Sequence, residues 1–220
     1  MSLFDYADPA SFVSRLRRRR SAHLRIIIEQ IYPCRILDVG GEAQYWINAF
    51  GVGWLRERLV HVTLLNHTTE YVGADLDPSV FCVVVADGCA LPYPARSFDL
   101  VHSNSVIEHV GCRVRRIAFV RELRRVGRWF YLQTPARCFP LEAHTRFPLF
   151  QYLPSAARVW LFQHCRLGTY PKLSAERARA FDQELQLLTA RELAGLFPAV
   201  TIRRERLCGL TKSYMVYGVC

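Results

Sequence analysis

The stretch Arg35-Ile36-Leu37-Asp38-Val39-Gly40-Gly41 runs three apolar residues and a carboxylate into a glycine pair, and a helix-compatible run follows from Glu42 to Phe50. A β-prone run that stops on Gly-Gly and becomes a helix is a strand-to-helix turn. In open α/β sheets this turn carries the ligand, because helix-start N–H groups and strand-end carbonyls converge there. The glycines let the backbone turn sharply and come close to a bound molecule. Taken alone, the pair is equally a tight turn of any α/β domain, so its neighbours decide.

Downstream, strands and helices alternate. Val60 to Leu65 reads as a second strand, with its functional end at Asn66; Tyr71 to Asp75 is a rival that ends in a carboxylate. Phe81 to Ala86 is almost wholly apolar, as a parallel strand covered on both faces should be, and it ends on Asp87-Gly88. The span from Asp75 to Asp87 is barely long enough for a parallel crossover, whereas that from Asn66 suffices, which favours Asn66. Ser97 to Asn104 is a fourth strand ending in small polar residues, and Glu108-His109 follows. From Arg113 to Val126, Phe119, Val120, Leu123 and Val126 form a helical stripe, with Arg121, Arg124 and Arg125 opposite. Trp129 to Gln133 is the fifth strand, stopped by Thr134-Pro135.

Upstream, Asp8-Pro9 suits a helix start. Phe12, Val13 and Leu16, then Leu24, Ile27, Ile28 and Ile31, keep helical spacing until Pro33. The Arg17–Arg20 run between them reads as a solvated turn. Residues 136–188 break the alternation: Phe139-Pro140, Phe147-Pro148 and Leu153-Pro154 punctuate an aromatic segment expected to form a lid or pocket wall. Thr189-x-x-Glu192 is a capping box, and 200–207 with 214–219 read as a closing antiparallel pair. The expected fold is an α/β, Rossmann-like, doubly wound and mostly parallel seven-stranded sheet. It is read as one domain over 1–220: an N-terminal helical segment 1–33, a core 35–135, the insertion 136–188 and the closing elements 189–220.

The length of 220 residues and a 51% hydrophobic content allow a real core and exclude disorder as the main state. No apolar run is long enough to span a bilayer, and the basic N-terminal run lacks the pattern of a signal peptide, so a cytoplasmic location is expected. The net charge is +10, and only Lys172 and Lys212 of the 29 basic residues are lysines. That surface favours anionic partners, lipid headgroups included, and admits peripheral membrane contact. The eight cysteines form no Cys-x-x-Cys pair and have no histidine at zinc spacing. They read as reduced, mostly buried apolar residues, and no metal site is expected.

Together, Ile36-Leu37-Asp38-Val39-Gly40-Gly41, Ala86-Asp87-Gly88, Leu91-Pro92-Tyr93 and Ser97-Phe98-Asp99-Leu100-Val101 resemble the class I S-adenosylmethionine-dependent methyltransferases of the compact, type 11-like branch. The resemblance covers 35–135 well. It implies S-adenosylmethionine as cofactor, with Asp38 organising the first turn, Gly40 and Gly41 beneath the methionyl group, and Asp87-Gly88 beside the adenine. Ser103 would lie by the methyl donor. Two departures stand out: Glu42 and Gln44 replace later glycines, and Asn66 occupies the place of the acid that grips the ribose diol. An amide keeps accepting and donating ability but loses the charge-assisted bond; Asp75 is the alternative.

Methyl transfer to a small-molecule or lipid-linked acceptor, on oxygen or nitrogen, is the leading expectation. In-line placement of the nucleophile supplies most of such catalysis, and a base serves a hydroxyl or protonated amine. The candidates are His109, His144 and Glu142. Nucleic-acid methylation is permitted by the charge but lacks an Asn-Pro-Pro-Tyr-like motif at Ser103-Asn104-Ser105. A catalytically silent binding protein is the remaining alternative.

Overall fold

Asn66, the residue favoured as the end of the second strand, is where that strand stops. A computed structural model of the chain describes residues 12–68 and 76–220, with side chains from Arg20 onward. The Asp8-Pro9 helix start and the rival carboxylate Asp75 lie outside the described residues, as do the side chains of Phe12, Val13, Leu16 and Arg17–Arg19.

The elements are α1 (Phe12–Gln30), β1 (Cys34–Val39), α2 (Ala43–Phe50), α3 (Val52–Glu57), β2 (Val60–Asn66), β3 (Phe81–Val85), β4 (Phe98–Asn104), α4 (Arg113–Val126), β5 (Gly127–Pro135), α5 (Ser155–His164), α6 (Ala175–Glu184), α7 (Ala190–Leu196), β6 (Thr201–Leu207) and β7 (Leu210–Val219). They build a seven-stranded sheet of order β3-β2-β1-β4-β5-β7-β6. β1 runs parallel to β2 and to β4, β2 parallel to β3, and β6 pairs antiparallel with β7. The expected doubly wound, mostly parallel sheet is therefore present. The chain leaves β1 towards β2 and β3, then returns to lay β4 on the other side of β1. That reversal opens a crevice at the C-terminal ends of β1 and β4, the place where such sheets bind ligands.

Two compact units divide the chain. Among the described residues, the first comprises 12–68, 76–103, 122–131 and 219–220; the second comprises 104–121 and 132–218. In the first unit, β1 and β2 are almost wholly buried, Ile36, Leu37, Leu64 and Trp46 among the largest inaccessible side chains. β3 departs from expectation. It is an edge strand with Val85 exposed, because apolar composition does not reveal whether a second layer covers a strand.

In the second unit the insertion carries two helices, α5 and α6. Phe150, Phe162, Leu167, Ala178 and Phe181 form a core of their own, with Phe147 packed against it. Two aromatic residues of this segment, Tyr152 and Trp160, stay outside that core and are 56% and 55% exposed. The capping box on α7 is present in both directions, with Leu193 and Phe197 buried behind it.

The cysteines also differ from expectation. All eight are free, but Cys82, Cys112, Cys138 and Cys208 are exposed and only Cys34 is fully buried. Cys82 lies on the edge strand and Cys208 in the β6–β7 turn, places with no second layer. Burial pushes the Cys34 thiol up to about 12.

Candidate functional site

The first unit assembles the glycine turn around a closed hydrogen-bond network. Asp38 sits at the end of β1, in register with His102 on β4. Its buried carboxylate accepts from Trp46 Nε1 at 2.6 Å and meets His102 Nδ1 at 2.7 Å. Asp38 thus organises the turn, and both its oxygens are occupied. Gly40 takes φ +74° and donates its N–H to the Leu65 carbonyl at 2.7 Å. At Gly41 a Cβ would stand 1.9 Å from Asp38 Oδ2, so only glycine fits.

Asn66 ties β2 to this turn by donating Nδ2–H to the Gly41 carbonyl at 2.8 Å. A carboxylate has no proton for that carbonyl, which gives the departure from an acid a physical reason. Beyond it, the Asn66 carbonyl accepts from Ala86 N–H at 3.0 Å, which brings Asp87 and the buried Gly88 to the same end of the sheet. Asp87 closes its own turn by accepting from Cys89 N–H at 2.9 Å.

Ser103 is buried at the end of β4, and its Oγ has no hydrogen-bond partner among the described residues. The adjacent His102, missed by the sequence reading, is stacked against Tyr45 and Tyr131 with ring centroids at 5.2 and 5.8 Å. Its Nε2 is likewise buried and unpartnered. A bare glycine turn, an orphaned buried hydroxyl and the amide oxygen of Asn66 suit a cofactor with an ammonium, a carboxylate and a ribose diol but no phosphate. The residues present fit S-adenosylmethionine, whose sulfonium carries an already activated methyl group.

The second unit gathers the three candidate catalytic residues and adds one. Glu108 and His109 lie on a short 3₁₀ turn after β4. His109 Nε2 and His144 Nε2 face each other at 3.0 Å. His144 Nδ1 meets Glu142 Oε1 at 2.7 Å, and the backbone N–H groups of His144 and Thr145 also donate to Glu142. Glu108 is fully buried, accepts from Thr134 Oγ1 through Oε2 at 2.9 Å, and leaves Oε1 without a hydrogen-bond partner. Ser105 and Arg146, flanking this group in sequence, adopt φ of 58° and 54°, uncommon for side-chain-bearing residues and frequent near functional sites.

The electrostatics follow from burial and from these partners. Glu142 resists burial through its bond to His144, that ring's charge and the backbone donors, which hold its carboxyl down to about 2. Burial disfavours the charged His144, but its bond to Glu142 and the nearby carboxylates outweigh this and raise its pKa. Burial, then the His144 charge, lowers His109 to about 4. Burial raises Glu108. A cavity of about 170 Å³ in this unit is lined by Glu142, Arg137, Arg158, Asp182, Phe150 and Phe162, among others.

The arginines of α4 are less available than their helical face suggests. Arg125 binds Glu122 and the carbonyls of Tyr93 and Leu91, and the buried Arg116 binds Gln186. No helix among the described residues is long and apolar enough to cross a membrane.

Residues 37–128 match the model of a family described as a methyltransferase domain. Among curated proteins, none matches the chain by sequence. Three solved structures are similar to it in fold. The cyclase SpnF is 15% identical with a TM-score of 0.53 over 84% of this chain, which spans 57% of that protein's length. An S-adenosylmethionine-dependent methyltransferase from Mesorhizobium loti is 16% identical with a TM-score of 0.52, over 89% of this chain and 95% of that one. A Burkholderia thailandensis 1,6-didemethyltoxoflavin N1-methyltransferase, with S-adenosylhomocysteine and its substrate bound, is 15% identical with a TM-score of 0.52. That alignment covers 92% of this chain and 76% of the other.

Proposed function

We propose that the chain is a class I S-adenosylmethionine-dependent methyltransferase, a reading supported by the match of residues 37–128 to a methyltransferase domain, and that it methylates a small-molecule or lipid-linked acceptor on oxygen or nitrogen. In this reading residues 1–220 work as one catalytic domain in the cytoplasm. Asp38, Gly40, Gly41, Asn66, Asp87, Gly88 and Ser103 serve the cofactor. Asp38 acts by holding the turn; Asp87 accepts from the adenine amino group, and Asn66 Oδ1 accepts from a ribose hydroxyl. Glu142, His144 and His109 meet the acceptor's hydroxyl or amine.

The observation that carries the acceptor reading is the Glu142–His144–His109 array, polar groups held in fixed orientation, whose buried member Glu142 lines a small cavity with Phe150 and Phe162 in its wall. The cavity lies below the about 300 Å³ at which ligand pockets usually begin, so it suits a small acceptor or the head of a larger one. Its lining sets Arg137 and Arg158 against Glu142 and Asp182, with Arg158 bound to Asp182, so it suits a polar acceptor of either charge. The similarly folded Burkholderia enzyme holds 1,6-didemethyltoxoflavin, which supports the class of acceptor and not its identity.

Two measurements test this. Calorimetry should detect S-adenosylmethionine or its demethylated product; no binding by the folded chain at millimolar cofactor would overturn the reading and favour a silent fold member. A salt titration with RNA and DNA should find only weak binding that falls steeply with ionic strength. A tight, sequence-selective complex would instead establish nucleic acid as the acceptor, against the commitment of Arg116 and Arg125 to internal partners.

A further inference from the structure

One ligand atom from each of Glu108, His109 and His144 lies within 4.8 Å of the other two. The two ring nitrogens stand 3.0 Å apart, and His144 Nε2 is 3.8 Å from Glu108 Oε1. The opposite ends of two of these groups are committed. His144 Nδ1 is taken by Glu142 at 2.7 Å, which leaves its Nε2 facing His109. Thr134 occupies Oε2 of Glu108, and Oε1 stays unpartnered on a fully buried carboxylate. Two ring nitrogens and a carboxylate oxygen brought together in this way are a donor set for a cation.

We propose that Glu108, His109 and His144 bind one divalent first-row transition-metal ion. Ligand atoms about 2.1 Å from a common ion and roughly 90° apart sit about 3.0 Å from each other, as the two histidine nitrogens do. Two imidazoles and one carboxylate suit zinc, iron, cobalt, nickel or manganese rather than the all-oxygen shells of calcium and magnesium, and they leave positions open for an oxygen or nitrogen of an acceptor. Glu142 then completes the outer shell, fixing the His144 tautomer and ring direction as outer carboxylates do in metal sites. The partly exposed rings of His109 and His144 give the ion its way in. Cysteine and histidine spacing could not reveal this set, because the two histidines are 35 residues apart and meet only in the fold.

The inference concerns the same cluster as the proposed acceptor site, but it is read by ion binding without cofactor or acceptor, so either can fail alone. The full chain, stripped with a chelator, is titrated with Zn²⁺, Mn²⁺ and Co²⁺ by calorimetry and, for Co²⁺, by visible absorption. One equivalent should bind, with a ligand-field spectrum. Glu108→Gln and the double change His109→Gln/His144→Gln should each lower affinity by at least about 100-fold, and Glu142→Gln by about 10–100-fold as for an outer-shell loss. Should a variant not fold, paramagnetic broadening by Co²⁺ in the unaltered protein decides: it should centre on 108–109, 134 and 142–144. Broadening centred on other histidines, binding that survives the double change, or no uptake by the folded wild type would overturn the site; the last result would mean that the rings share a proton instead.

Discussion

Asp38 in the first unit and Glu142 in the second each hold the Nδ1 of a histidine at 2.7 Å, yet the far nitrogens of those rings meet opposite surroundings. The His102 ring stacks against Tyr45 and Tyr131 with Trp46 edge-on, and its buried Nε2 has no hydrogen-bond partner among the described residues. His144 turns its Nε2 towards another imidazole and a buried carboxylate. The first pair is closed: with Trp46 on its second oxygen, both oxygens of Asp38 are engaged, and it acts by shaping the glycine turn. The second is open, since the Nε2 of His144 faces polar groups of two other residues. A carboxylate–histidine pair is therefore a scaffold or a reactive group according to what faces the free nitrogen.

The largest effect that could break this contrast is on stability. Asp38→Ala strips two buried donors of their acceptor, at about 1–3 kcal/mol each, and should lower stability in chemical denaturation well beyond Glu142→Gln. An equal or smaller loss would mean that the Asp38 network is no more structural than the other. Next, Asp87→Ala should weaken cofactor binding by about 1–3 kcal/mol through the lost acceptor. Calorimetry with unchanged affinity would remove Asp87 from the site.

His144→Ala should spare cofactor affinity while lowering turnover at least about tenfold, about 1.4 kcal/mol in the barrier. Equal turnover with the true acceptor would place the open cluster outside the reaction. The smallest effect sharpens the role of Asn66. Asn66→Asp loses the bond to the Gly41 carbonyl, so the melting temperature should fall by an amount corresponding to about 1 kcal/mol. A rise would show that the charge gained at the ribose position outweighs the tie.

The two regions were not equally legible in the amino-acid sequence. β1 and its glycine turn, the end of β2 at Asn66, the buried stripe of α4 and the capping box of α7 are local patterns, written in neighbours a few residues apart, and they stand in the structure. The gathering of Asp38, Gly40, Gly41, Asn66 and Asp87 follows from sheet order, which alternating strands and helices largely dictate. Exposure was not legible. The cysteines, β3, Tyr152 and Trp160 depend on whether another layer covers them, which composition does not record. Glu108 was passed over beside His109 because its weight comes from His144 and Thr134, partners remote in sequence.

The separate aromatic interior of α5 and α6 has a consequence for changing acceptors. Phe150, Phe162 and Phe181 bury one another, with Leu167 and Ala178, and the neighbouring Leu153, Tyr170 and Leu185 close round them. A cassette cut at about 149 and 186 would carry its own interior into a chimera, leaving α2, β1 and β2 untouched. The seams to match include Gln151 donating to the Arg137 and Phe139 carbonyls, Tyr152 donating to the Arg137 carbonyl and Phe147 against Phe150 at one end, and Gln186 donating to the Glu108 carbonyl and receiving Arg116 at the other. Grafting that segment from a relative would transplant a pocket wall without repacking the recipient's sheet.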